Sequence, residues 1–284
     1  MPAPKELDPS TSLAALYGAK LRKLRTRAGW TQRELGDKVP IAHSRIAQFE
    51  LGNETPPEDV SAKLDELLGA DGDLTDLWGH VKRTPIPDWA RMFVAYEARA
   101  TAMYKYMAHS VPGLLQTEPY ARAVLSVGQV YGNGTAEEVE EKLAARMARQ
   151  AVLGHSPPAW LWVVLDEAVL HRVVGGPPVM KEQLGHLLDM GALPRVTLQI
   201  LPYERGAHPG MGGSVTLLTL PGSGQVVYLE GINSGTLVEA PGEAEQYAIA
   251  YDLLQANALP PDKSADFLRK VMEDRYSCPP SDLT

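Results

Sequence analysis

The chain has 284 residues, 44% of them hydrophobic, which is enough apolar material to build one large or two medium globular domains and excludes a disordered chain. It has no uncharged apolar run of about 18 residues, and its opening "MPAPKELDPSTS" lacks a hydrophobic stretch, so neither a spanning helix nor a secretory signal is expected; the expected location is cytoplasmic, with no membrane partner. The net charge of −8 would exclude nucleic acid only if evenly spread, yet residues 13–52 hold eight basic against three acidic side chains, leaving nineteen against thirty-two for the rest.

Residues 1–12 are rich in Pro, Ser and charge and are expected as a flexible tail. From Leu13, apolar Leu13, Tyr17, Leu21, Leu24 and Ala28 recur at helical spacing until Gly29. A second helix follows, with Thr31 and Glu34 spaced as a capping box, Trp30 placed to staple against Leu35, and Pro40 breaking the run. A short third helix is predicted from Ala42 to Glu50, with Ile46 and Phe49 inward and Gly52 as its stop. A fourth runs through Val60, Leu64, Leu67 and Leu68, and a fifth through Leu74, Leu77, Trp78 and Val81. These five helices form an all-α head over residues 13–81.

"KRTPIPDW" supplies a linker at 82–88, because two prolines one residue apart do not sit inside a helix. Helices are then predicted over 88–110, 116–127 and 136–153. Beyond them the texture changes: 159–166, 195–202, 213–220 and 225–231 are rich in β-branched and aromatic residues and bounded by Gly or Pro, as strands are. A helix near 179–191 lies between the first two, a βαβ pattern, and helices at about 242–257 and 262–275 follow the last strand. The fold class expected is therefore a five-helix head plus a larger α+β domain over 89–278, helical in its first half and then a mixed sheet with flanking helices. Residues 279–284 are expected as a tail. Cys278 is the only cysteine, has no partner for a disulfide and no neighbour at metal-ligand spacing.

Residues 25–53, "RTRAGWTQRELGDKVPIAHSRIAQFELGN", have two helices joined by a tight turn, the second short and polar on its outer face, a form that fits a major groove. With Ile46 and Phe49 inward, the outward side chains are His43, Ser44, Arg45, Ala47 and Gln48. The stretch 13–80 resembles the Xre family of phage-repressor-like helix-turn-helix regulators. "LRKLR", "TQREL", the apolar Ile41, Ile46 and Phe49, and the Glu50–Gly52 pair carry the resemblance. It implies base contacts from His43, Ser44 and Gln48 with Arg45 close by, chemistry that suits purine edges. It implies a phosphate anchor at Gln32, helped by the positive end of its helix, with Asn53 and Thr55 as further phosphate candidates and Arg22, Lys23 and Arg27 adding field. Arg25 and Glu50 are implied as an internal ion pair. Two departures stand out: Pro40 occupies the turn where the family has glycine, and Ala42 stands where a Ser or Thr cap is usual. His43 is also open to reading as an ordinary surface residue.

From Trp89 on, the chain resembles the domain of unknown function that follows an Xre-type head in many actinomycete regulators. The stretches are "VPGLLQTEPYARAVL" (111–125), "RMARQAVL" (146–153), "LDEAVLHRVVGG" (165–176), "EQLGHLL" (182–188), "VTLQILP" (196–202) and "GAHPGMGGS" (206–214). The resemblance implies a transcription regulator commonly encoded beside a small partner protein. Paired heads would match half-sites one helical turn apart, so a homodimer on double-stranded DNA is expected. The acidic body is left to dimerise the heads, to bind a small-molecule ligand or to dock a small protein, the last in an antitoxin-like module. Gln116, Arg122, Arg149, Glu167 and His208 either line a pocket there or tie loops to the core. "GAHPGMGGS" is either a loop over a site or a glycine-rich approach to a hairpin.

Enzymatic patterns are missing: there is no H-E-x-x-H, no phosphate-binding G-x-x-x-x-G-K-[ST] loop and no G-x-S-x-G elbow. Only a fold bringing Glu167, His171 and His208 together would support a hydrolase, and no enzyme activity, metal or cofactor is expected.

Overall fold

In the computed structural model, the structure describes residue 9 and residues 13–82, 88–130, 135–156, 158–222, 224–231 and 234–277. Apart from residue 9, the expected tail at 1–12 lies outside the described residues, as do the tail at 279–284, nearly all of the expected linker and Cys278. The chain divides into two compact units, Met1–Met92 and Phe93–Thr284.

The first unit holds α1 (Leu13–Arg27), α2 (Gln32–Lys38), α3 (His43–Glu50), α4 (Glu58–Leu68) and α5 (Asp73–Lys82), with α6 (Asp88–Glu97) containing the boundary. Tyr17, Leu21, Leu35, Ile46, Phe49, Leu64 and Leu74 form one core at 0–2% exposure, so each helix turns its apolar stripe to the same centre. The start of α2 is closed by a reciprocal capping box: Thr31 Oγ1 accepts from Glu34 N–H at 3.2 Å, and Glu34 Oε2 accepts from Thr31 N–H at 2.7 Å. The turn into α3 runs close over α2, where Ile41 N–H donates to Gly36 O at 2.8 Å. A Cβ on Gly36 would stand 2.5 Å from Ile41 O, so only glycine permits this approach. Asp65, on α4, caps α5 from outside: its carboxylate accepts from the N–H groups of Gly72, Leu74 and Thr75 at 2.8, 2.7 and 3.0 Å.

The second unit contains β1 (Ala102–Met107), α7 (Glu118–Val130), α8 (Ala136–Arg149), β2 (Trp160–Asp166), α9 (Glu167–His171), α10 (Pro177–Gly191), β3 (Val196–Leu201), β4 (Ser214–Leu220), β5 (Gly224–Gly231), β6 (Ser234–Val238), α11 (Pro241–Asn257) and α12 (Pro261–Tyr276). They build one six-stranded sheet in the order β3-β2-β1-β4-β5-β6. β1, β2 and β3 run parallel through helical crossovers, and β4, β5 and β6 form an antiparallel meander. The mixed sheet with flanking helices is as expected, and the stretch 88–110 is the difference. Predicted as one helix, it is α6 followed by β1, the central strand. The good helix formers of "AMYKYM" are overridden by pairing on both edges of β1. β6 and the short α9 were likewise not anticipated, both being too brief to show a period.

α11 covers one face of the sheet, where Tyr106, Val164, Leu217 and Val227 pack with Ala244, Tyr251 and Leu254. The outer edge of β3 is closed by the segment leading into α12: Leu259 N–H donates to Ile200 O at 2.8 Å, and Ile200 N–H donates to Ser264 Oγ at 2.9 Å.

Candidate nucleic-acid interface

α3 has a buried and an exposed side. Ile46, Phe49 and Glu50 are fully buried, while His43, Ser44, Arg45 and Gln48 are exposed. Glu50 is a carboxylate removed from water, and three polar side chains from α1 and α2 replace that water. Arg25 reaches it with Nε on Oε1 and with Nη2 on Oε2 at 3.0 Å; Gln32 Nε2 donates to Oε2 at 2.8 Å. Arg22 Nε stands 3.6 Å from the same oxygen. Arg25 also donates from Nη1 to Trp30 O at 2.6 Å, tying α1 to the start of α2. This network fixes the inner side of α3 and so the direction its outer side faces.

The side chains expected at phosphates divide into two groups. Lys23 and Arg27 are exposed, as expected for groups that add field. Gln32 and Arg22 are engaged inside with Glu50, and Thr55 Oγ1 accepts from Arg91 Nη2 at 3.4 Å. The N-terminus of α3 carries no side-chain cap at Ala42, the departure noted in the sequence. Arg45 donates from Nε to Glu54 Oε1 at 2.9 Å and from Nη2 to the same oxygen. Gln48 Oε1 accepts from Asn53 Nδ2 at 2.9 Å. Glu54 had no part in the reading of the sequence; an acidic residue just past the end of a basic reading helix was the available signal.

In the second unit, the five polar candidates do not converge on one pocket. Gln116 is buried, donates from Nε2 to Val111 O at 2.7 Å and accepts from Arg146 Nη1 at 2.9 Å, so it ties a turn to α8. Arg122 lies on the exposed side of α7 between Glu118 and Glu140. Arg149 donates from Nη2 to Glu97 Oε2 at 2.7 Å, and Lys105 Nζ donates to Oε1 of the same carboxylate at 2.9 Å. Burial pushes the Glu97 carboxyl up, and the two cations outweigh that and hold it below its ordinary range.

Glu167 and His208 sit past the C-terminal end of β2 but with different partners. Glu167 Oε2 accepts from Tyr203 N–H at 2.8 Å, and its Oε1 is 3.1 Å from His171 Nε2. Arg275 Nη1 lies 2.8 Å from His171 Nδ1; a guanidinium only donates, so the imidazole accepts there and donates from Nε2 to Glu167. His208 Nε2 lies 3.6 Å from Asp166 Oδ2, to which Tyr106 Oη donates at 3.0 Å. Gly210 lies against the Tyr106 ring, where a Cβ would come within 2.3 Å, and it anchors the otherwise largely exposed "GAHPGMGGS" just ahead of β4. Glu167, His171 and His208 form no metal-holding group among the described residues.

A groove of about 310 Å³ runs between α10, β3 and α12, lined by Leu187, Val196, Leu198 and Leu268 with Asp262 and Arg269. None of the described helices is long and apolar enough to cross a membrane.

Comparison with known families gives two matches. Residues 16–78 match a helix-turn-helix domain family. Residues 90–270 match the family described as a domain of unknown function, DUF5753. No curated protein and no solved structure matches the chain.

Proposed function

Because the chain belongs to the DUF5753 family and carries a helix-turn-helix domain ahead of it, we propose that this DNA-binding regulator is a sequence-specific transcriptional regulator reading the major groove with α3. One observation carries the reading: His43, Ser44, Arg45 and Gln48 are all exposed on a helix whose inner side, Ile46, Phe49 and Glu50, is fully buried. Packing has left that helix one free side, and the free side carries hydrogen-bonding groups suited to base edges. The exposed Lys23 and Arg27 on α1 meet phosphates, with Asn53 flanking the reading helix. Gln32 and Arg22 contribute through Glu50, by setting the orientation of α3, more than by touching the backbone of the duplex.

The head, 13–81, delivers this function, and the body, 89–278, controls it. The groove between α10, β3 and α12 favours a small amphipathic ligand as the controlling signal, since leucine walls with one acidic and one basic residue suit an apolar molecule with a polar end. The homodimer follows from what one head can bury on a half-site.

The test is selection of duplexes from a random-sequence library with the full chain, followed by anisotropy titration of the winners. A shared sequence motif, and its loss when Arg45 and Gln48 are both changed to alanine, supports the assignment. Enrichment of no motif, or equal binding of every duplex, overturns it.

A further inference from the structure

Two reading side chains of α3 are held by residues that lie just past its end. Arg45 places both Nε and Nη2 on one oxygen of Glu54, the first at 2.9 Å, and Gln48 Oε1 takes a hydrogen bond from Asn53 Nδ2 at 2.9 Å. The Arg45 and Glu54 side chains are 45% and 33% exposed, so the pair sits at the surface with one side open.

A guanidinium has five N–H donors in a planar fork. Glu54 occupies the side made of Nε and the near hydrogen of Nη2. The end of the fork, made of Nη1 and the far hydrogen of Nη2, has no other hydrogen-bond acceptor among the described residues. That end is the edge which pairs with O6 and N7 of guanine. Resting on the assignment of α3 as the reading helix, we propose that Glu54 is a specificity-determining positioning residue. It holds Arg45 side-on so that the end of its fork meets a guanine, and it keeps the charge of Arg45 from attaching to phosphates at random.

Two physical effects point the same way. Arginine has among the largest rotamer freedom of any side chain, and the Glu54 contact removes part of it before DNA arrives. A carboxylate beside the reading helix also repels the phosphates of every sequence, while only a duplex with guanine in the right place gains the fork contact. Random DNA therefore feels the repulsion alone, and the operator feels both. Asn53 acts similarly on Gln48: it engages the carbonyl oxygen and leaves the amide hydrogens outward. Arg45 and Gln48 are three residues apart on one helix, hence on one face, and both present donors. The operator half-site should therefore show an acceptor-rich edge there, with guanine facing Arg45.

The test uses the full chain, the duplex recovered by selection and a random duplex of equal length. Glu54→Gln should raise affinity for the random duplex about threefold, as loss of an exposed charge contact allows, and lower the operator-to-random ratio about tenfold. In an Arg45→Ala background, the same change should leave the ratio unaltered. Replacing the contacted guanine by 7-deazaguanine, which lacks N7, should weaken the wild-type chain about tenfold and the Glu54→Gln chain much less. This last arm needs only the wild-type protein to show the guanine contact. An unchanged ratio in Glu54→Gln, or an equal fall with and without Arg45, overturns the proposal while leaving α3 as the reading helix. A wild-type chain that prefers no duplex overturns both.

Discussion

Glu50, fully buried at the end of α3, lies under the guanidinium of Arg25 from α1, with Nη2 3.0 Å from Oε2. The pair joins the helix that reads to the helix that precedes the motif, across 25 positions of sequence. Arg25→Ala leaves a buried carboxylate without its main cation and should cost about 3–5 kcal/mol of head stability. Urea unfolding of the full chain, followed by exchange of the amides of α1 to α5, measures it. A loss below about 1 kcal/mol would place the pair among surface ion pairs and remove it as the clamp on α3.

Asp65 links the stability of the head to pH. Burial pushes its carboxyl up, and the bonds from Gly72, Thr75 and Leu74 outweigh that and hold it below the ordinary range. A carboxyl so lowered adds stability above its unfolded value near pH 4, and that stability drains away as pH falls through the lower folded value. The wild-type head should therefore weaken as pH drops below about 4, and an Asp65→Asn head, weaker by about 2 kcal/mol at neutral pH, should weaken less over the same interval. Thermal melts across an acid series decide it; parallel pH curves for the two proteins would show that Asp65 has no such role.

The Glu97 carboxylate holds two cations, Lys105 and Arg149, inside the body. Glu97→Gln leaves Lys105, with its side chain 5% exposed, near Arg149 and without another ion-pair partner among the described residues, which should destabilise the body by about 3 kcal/mol or more. The head should keep its own transition. Calorimetry of the full chain would show one shifted and one fixed unfolding event, and two shifted events would contradict the assignment of this cluster to the body alone.

On DNA, the basic residues should separate by position. Lys23→Ala and Arg27→Ala, both changes of exposed groups on α1, should weaken operator and random duplexes alike and each reduce the salt slope by about one. Arg45→Ala and Gln48→Ala should instead cost about 1–3 kcal/mol on the operator and far less on random DNA. Titrations at several salt concentrations separate the two patterns. Uniform losses from all four would dissolve the distinction between anchoring and reading.

Much of the head was legible because its signals are local: apolar residues at helical spacing, glycine and proline stops, and a capping box that the structure contains as spaced. The sheet was legible where strands are β-branched and bounded, and illegible at β1. There Lys105 interrupts an otherwise apolar hexamer, and what makes a buried lysine tolerable is the carboxylate of Glu97, on a preceding helix, which Arg149 from α8 also engages. Such a pairing leaves no period to detect. The same limit applied to Gln32 and Arg22. Their pattern suits phosphate contact, and the pattern alone does not reveal that a buried carboxylate from another helix takes both. Residue types announce which bonds are wanted; the fold decides which partner arrives first.

β1 occupies the middle of the sheet although neither neighbour is near it in sequence: β2 follows two crossover helices, and β4 arrives later still. Contacts between distant segments form slowly, whereas β4, β5 and β6 follow one another closely in sequence. A ribosome making this chain therefore releases β1 long before its second edge can be satisfied, and for that interval the nascent body exposes a strand with an open backbone. Pulse-labelled amide exchange during refolding should find β4 and β5 protected ahead of β1; the opposite order would mean that the centre of the sheet assembles first by some other route.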